Sequence, residues 1–143
     1  MRRALPFAAV LAAGCALQSF TVAQPSFRTM EIHDAYGRAV RAVTEHCGPI
    51  SAENPDANVV VGAWKAWPTP DGVTLTQCIV TVLPDDPYSG NVRITFAARE
   101  CPLSDLADLD ALAPTCERTD SVRQLVNTGL TETARKLEAD IRR

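Results

Sequence analysis

Four cysteines are the residues of this chain whose type and number specify a chemistry most clearly. Cys47, Cys78, Cys101 and Cys116 remain once an N-terminal leader that contains Cys15 is set aside. An even number of cysteines in an exported chain favours disulfide bonds. None of the four belongs to a Cys-x-x-Cys pair, the spacing of zinc knuckles and thioredoxin-type redox sites. We therefore expect two structural disulfides.

The pairing of these cysteines follows from the elements predicted around them. Cys101 ends a predicted strand and Cys116 precedes the last predicted helix, so a short loop joins them. Cys47 ends the first predicted helix, close to the start of the first strand, and Cys78 lies in the second strand. We expect the pairs Cys47–Cys78 and Cys101–Cys116, although simple alternation places Cys78 on the face away from the helices.

No catalytic or metal-binding arrangement is recognisable in the sequence. The serines are scattered without a G-x-S-x-G elbow, and there is no glycine-rich phosphate loop. His33 and His46 are about four turns apart on one predicted helix, too distant to share a metal ion. Asp105, Asp108 and Asp110 lack the ligand spacing of an EF-hand loop. We expect a protein with no catalytic residues, no metal and no cofactor.

Residues 1–23 have the pattern of a secretory signal peptide. Two arginines precede an apolar run over residues 5–20, which is shorter than the roughly 20 residues that a membrane-spanning helix needs. Thr21 and Ala23 are small residues at the positions that signal peptidase requires, so we expect cleavage after Ala23. In the alternative, a lipoprotein peptidase cuts before Cys15, and this cysteine carries a lipid anchor.

Residues 24–143 have the length of one small domain with one core. The whole chain has a formal net charge of −3, and loss of the two leader arginines makes it more negative. The chain contains no basic run and no basic patch interleaved with aromatic residues. These features disfavour binding to nucleic acid or to an anionic membrane surface.

Hydrophobic periodicity predicts an α+β domain. Helices are predicted over residues 27–47 and 119–143, with a short helix within 101–116. Strands are predicted over residues 58–67, 72–83 and 91–100, after a polar loop over 51–58. The short connections between the strands indicate a three-stranded antiparallel meander. We expect both long helices to pack on the apolar face of this sheet.

Alternation along the strands also predicts a polar, cationic face that could bind an acidic partner. Val73, Leu75 and Ile79 are expected to face the helices together with Ile94 and Phe96. The opposite face would then carry the candidate binding residues, which are Lys65, Trp67, Arg93 and Arg99, together with Thr74, Thr76 and Thr95. Reversing the charges of Arg93 and Arg99 together should weaken capture of such a partner and the salt dependence of that capture. The loop Asp85-Asp86-Pro87-Tyr88 is a further candidate contact, because tyrosine is favoured at interfaces.

These features favour a small exported protein of a bacterial envelope, periplasmic or secreted. The expected function is non-enzymatic binding of another protein, as an inhibitor, an immunity-type protein or an accessory protein. One alternative is a periplasmic protein that binds a small molecule between helices and sheet, in a pocket lined by Tyr36, Trp64 and Phe96. The other is an envelope lipoprotein anchored through Cys15.

Overall fold

The computed structural model describes residues 19–70, 72–102, 106–118 and 129–142, and it has an α+β fold. The helices are α1 (Ile32–Cys47), α2 (Leu109–Leu112) and α3 (Leu130–Arg142), with a 3₁₀ turn at Ala113–Thr115. The strands are β1 (Ser19–Ala23), β2 (Ser26–Arg28), β3 (Ile50–Asn54), β4 (Val59–Thr69), β5 (Gly72–Asp86), β6 (Ser89–Cys101) and β7 (Glu117–Arg118).

The sheet is antiparallel and larger than the sequence predicts. Its main order is β1-β6-β5-β4-β3, and the short strands β2 and β7 also pair with β6. The prediction of a three-stranded meander is therefore wrong. The predicted strands correspond to β4, β5 and β6 at the centre, and further strands extend the sheet on both sides. The added strands are short or polar segments whose pairing comes from their neighbours, so their own sequence carries little strand signal.

The first helix ends where the sequence predicts and begins later. Cys47 is its last residue, followed by Gly48 at a φ of 86° and then Pro49, a combination that stops a helix. The predicted start at residue 27 is wrong because Ser26–Arg28 pairs with β6 as β2. Thr29, with a φ of 58°, then turns the chain through the left-handed region, which separates the strand from the helix.

The last helix is confirmed over Leu130–Arg142. The earlier part of the prediction, residues 119–128, lies outside the described residues. The short helix expected within 101–116 is present as α2 with the 3₁₀ turn that follows it. Asp108 caps α2, because its side chain accepts a hydrogen bond from the backbone N–H of Ala111.

Both α1 and α3 pack on the same face of the sheet, where the larger core lies. The core side chains on this face include those of Val43, Val60, Val80, Ile94, Phe96 and Leu137. The opposite face carries a smaller cluster around Val73, Leu75 and Ala113, which α2 and the 3₁₀ turn help to cover. The faces predicted for β5 are therefore reversed: Cys78, Val80 and Val82 face the helices, and Val73 and Leu75 do not. Because β5 is buried on both faces over most of its length, its alternation does not identify the helix side.

The end of α1 lies very close to β4 at Gly62. A Cβ atom at this position would lie 3.0 Å from Cβ of Cys47 and 3.3 Å from Cγ1 of Val43. Those separations are shorter than ordinary contacts between carbon atoms. The glycine therefore allows the helix to pack directly on the strand.

One predicted disulfide is confirmed and the other is wrong. Cys101 and Cys116 are bonded, with a Cα–Cα distance of 4.9 Å, and they join β6 to the segment after α2. Cys47 and Cys78 are neighbouring thiols that are not bonded to each other. The two thiols are close because Cys78 lies on the helix face of β5. Simple alternation would place Cys78 on the other face of the sheet, away from the helices.

Candidate functional site

The turn between β5 and β6 borders the largest cleft described in this structure. The cleft has a volume of about 530 Å³ and lies between this turn and the start of α1. We call it the Tyr88 cleft; its lining residues are Glu31, Ile32, His33, Pro84, Asp85, Asp86, Pro87 and Tyr88. The side chain of Tyr88 is 58% exposed, the largest value among the exposed large hydrophobic residues of the described chain.

Hydrogen bonds fix the turn that presents Tyr88. The backbone N–H of Tyr88 donates to Oδ1 of Asp86 at 2.7 Å, and the hydroxyl of Ser89 donates to Oδ2 of the same carboxylate at 2.6 Å. The backbone N–H of Met30 donates to the carbonyl of Tyr88 at 3.2 Å, which ties the turn to the segment before α1. The tyrosine is thus exposed on a turn whose backbone is held in place.

The same bonds act on the carboxyl group of Asp86. The hydroxyl of Ser89, and then the backbone N–H of Tyr88, stabilise the ionised form and hold the pKa of Asp86 below its usual value. Asp86 therefore fixes the turn as an anion. Together with Asp85 and Glu31, it makes the rim of the cleft acidic.

The four candidate binding residues do not form one surface. Lys65 and Trp67 pair with Thr76 and Thr74, on the face of the sheet that the helices cover. The ammonium of Lys65 lies 4.4 Å from the centre of the Trp67 ring, a cation–π contact. The indole N–H of Trp67 donates to the hydroxyl of Thr76 at 2.8 Å.

Arg93 and Arg99 lie on the opposite face of the sheet. They pair with Thr81 and Leu75, and Leu75 belongs to the smaller cluster away from the helices. The three threonines predicted to complete the polar surface, at positions 74, 76 and 95, are buried. The prediction of a single cationic face is wrong because it relied on the reversed alternation of β5.

The aromatic residues predicted to line a pocket are also separated. Trp64 packs against the smaller cluster, whereas Phe96 lies within the larger core. The hydroxyl of Tyr36 donates to the carbonyl of Val59 at 3.4 Å. The gap beside Phe96 and Trp67 has a volume of about 10 Å³, room for about one water molecule.

Cys47 and Cys78 form a packed thiol pair between α1 and β5. Cys78 is buried and Cys47 is half-buried. The hydrogen bond with Cys47 is the largest cause that raises the pKa of the Cys78 thiol, and burial raises it further. The raised pKa keeps Cys78 protonated, which disfavours its use as a nucleophile at neutral pH.

A contact between α1 and α3 joins residues that the sequence does not connect. Nε2 of His46 lies 2.5 Å from Oδ2 of Asp140, although the two residues are 94 positions apart. A carboxylate oxygen of Glu45 is also near this contact. The Glu45 oxygen, the His46 nitrogen and the Asp140 oxygen all lie within 4.8 Å of one another. In the sequence the other histidine is His33, and no local spacing indicates that Asp140 lies near His46.

No family model matches this chain, and a search of curated proteins gives no match. Among the described residues, no helix has the length and apolar character needed to cross a membrane.

Proposed function

We propose that this protein is a small exported, non-enzymatic protein that binds another protein through the Tyr88 cleft. The observation that carries the proposal is the exposed Tyr88 side chain on a hydrogen-bonded turn beside the largest described cleft. Aromatic side chains are enriched among interface residues that contribute most of the binding energy. A turn that is already ordered loses little conformational entropy when a partner binds.

The charge around the cleft favours a basic segment of the partner. Glu31, Asp85 and Asp86 are exposed acidic residues at its rim, on a chain whose net charge is already negative. Charge complementarity speeds encounter and selects between partners more than it raises affinity. This proposal replaces the acidic partner expected from the cationic face. The roles of inhibitor, immunity-type protein and accessory protein all remain within it.

Affinity capture from an envelope extract tests this function with a matched control. Wild-type protein is compared with Tyr88→Ala and with Leu106→Ala, which truncates another exposed large apolar residue, 41% exposed. We expect a protein that wild type and Leu106→Ala capture and Tyr88→Ala loses. Asp85→Lys should weaken this capture, and Arg93→Glu with Arg99→Glu should leave it unchanged. Capture that survives Tyr88→Ala and fails only in the double arginine variant would contradict the proposal.

We propose export because residues 1–23 have the pattern of a signal peptide. The strand β1 favours a second candidate for the processing site, which is cleavage before Cys15 as in a lipoprotein. Ser19–Ala23 pairs with residues 94–97 of β6, and Ala23 packs against the larger core. Cleavage after Ala23 would remove this strand and leave residues 94–97 of β6 without their partner on that edge. Cleavage before Cys15 would retain it and add a lipid anchor.

The mass of the mature protein distinguishes these two processing sites. Export with cleavage after Ala23 gives a chain that begins at Gln24, whereas lipoprotein processing gives a heavier, acylated chain. Incorporation of labelled palmitate that Cys15→Ala abolishes would establish the lipid-anchored form.

A further inference from the structure

Glu45, His46 and Asp140 form a cluster of metal-ligand types where the last turn of α1 meets α3. Each residue offers one donor atom, an imidazole nitrogen or a carboxylate oxygen, and all three atoms lie within 4.8 Å of one another. The side chains of His46 and Asp140 are 16% and 28% exposed. Two helices packed on one core hold these ligands, so the cluster does not depend on a loop.

The two closest donors of the cluster are hydrogen-bonded to each other and would have to move apart to bind a small divalent ion. A tetrahedral Zn²⁺ has bonds of about 2.0–2.2 Å to nitrogen and oxygen, which places its donors roughly 3.3–3.6 Å apart. Nε2 of His46 and Oδ2 of Asp140, at 2.5 Å, would separate by about one ångström to admit the ion.

We propose that Glu45, His46 and Asp140 bind a divalent transition-metal ion of the Zn²⁺ class. One imidazole and two carboxylates are ligands of this class, and the two carboxylates offset the charge of the ion. Three protein ligands leave a fourth coordination position for water. This site is separate from the Tyr88 cleft, because the two have no lining residue in common.

The positively charged residues beside the cluster set a limit on its affinity. Arg38 and Arg41 line an open concavity of about 330 Å³ together with Glu45 and Asp140. Their guanidinium groups repel a cation and compete for the carboxylates.

Isothermal titration of ZnCl₂ into the purified mature protein tests the site. The protein is prepared without a histidine tag, and bound metal is first removed with a chelator that is then dialysed away. We expect one ion per chain, and absorption bands of low-coordinate Co²⁺ when Co²⁺ is used in place of Zn²⁺. Asp140→Asn and Glu45→Gln preserve side-chain shape and should each weaken binding at least about tenfold, since even outer partners of metal ligands contribute 10–100-fold. His46→Ala should abolish it.

Two control variants separate this site from the other zinc ligands of the chain. His33→Ala removes the other histidine, and Cys47→Ser alters the thiol pair next to the cluster. Both should bind Zn²⁺ as wild type does, provided that their far-ultraviolet spectra and melting temperatures show folded protein. Absence of stoichiometric binding by wild type would overturn the proposal. So would binding that persists in Asp140→Asn or is lost in Cys47→Ser.

Discussion

The first turn of α1 borders the exposed Tyr88 cleft, whereas its last turn is packed against α3 and β4. At the first turn, His33 is exposed, and the neighbouring turn of the sheet is fixed by two hydrogen bonds to the carboxylate of Asp86 and by one backbone bond from Met30 to Tyr88. At the last turn, His46 and Cys47 are half-buried and lie against Asp140, Cys78 and Gly62.

One helix therefore serves two purposes in this small domain. Its packed end joins the helices to the sheet, so substitutions there should alter the free energy of unfolding. Its open end supplies part of a surface, so substitutions there should alter binding and leave stability nearly unchanged.

The largest effect is expected for Leu137→Ala in the helix-side core. Leu137 is fully buried, and truncation of a buried leucine to alanine costs about 2–5 kcal/mol of unfolding free energy. Tyr88→Ala, at the exposed turn, should change stability by less than about 0.5 kcal/mol. Urea denaturation measures both. A comparable loss in the two variants would show that the Tyr88 turn is part of the stabilising core.

Loss of the confirmed disulfide should have the next largest effect. The bond closes a loop with a sequence separation of 15 residues, for which the chain-entropy estimate is about 3 kcal/mol. Cys101→Ser with Cys116→Ser should therefore lower the free energy of unfolding by about this amount and leave capture through Tyr88 intact. Peptide mapping of unreduced protein checks the starting state. It should join Cys101 to Cys116 and find Cys47 and Cys78 open to alkylation after unfolding.

Two glycines provide a matched pair for the packed and open surfaces of α1. Gly62→Ala places a Cβ atom 3.0 Å from that of Cys47 and should destabilise the protein by about 1–3 kcal/mol. At Gly37, within α1, an added Cβ meets nothing within 4 Å, and Gly37→Ala should stabilise by up to about 1 kcal/mol. Thermal melting gives the sign of each change. Equal changes of the same sign would contradict the packing described for Gly62.

The smallest expected effect is a shift in the titration of Asp86. Because its pKa is lowered in the folded protein, its contribution to stability is present above the unfolded pKa and is lost as the pH falls through the folded pKa. Ser89→Ala removes the largest cause of the shift and should raise the pKa of Asp86 toward its ordinary value. Carboxyl ¹³C NMR measures this directly. An unchanged pKa in the variant would mean that another group holds the turn.

Strong local signals in the sequence were sufficient to predict much of this fold. Gly48 and Pro49 stop α1 as predicted, and the alternating apolar residues of β6 identify its helix face. The exposed residues of β3 carry no strand pattern, since pairing with β4 alone makes them a strand. In β5, residues on both faces are apolar and buried, so the choice between faces required the tertiary structure.

The candidate sites depended on tertiary contacts to a greater extent. Tyr88 was recognisable as a loop tyrosine, but the cleft beside it forms only when α1 packs near the β5–β6 turn. In the sequence, His46 lies far from the other histidine, His33. Asp140 becomes its neighbour through the packing of α3, which no spacing of residues in the sequence encodes.

Site-specific photo-crosslinking in the envelope tests whether the proposed partner binds at Tyr88. A photoreactive phenylalanine analogue replaces Tyr88 in one variant and Leu106, the other exposed large apolar residue of the described chain, in a second. We expect one discrete adduct of higher mass from position 88, which weakens when Asp85→Lys is added, and none from position 106. No adduct at position 88, or equal adducts at both positions, would contradict it.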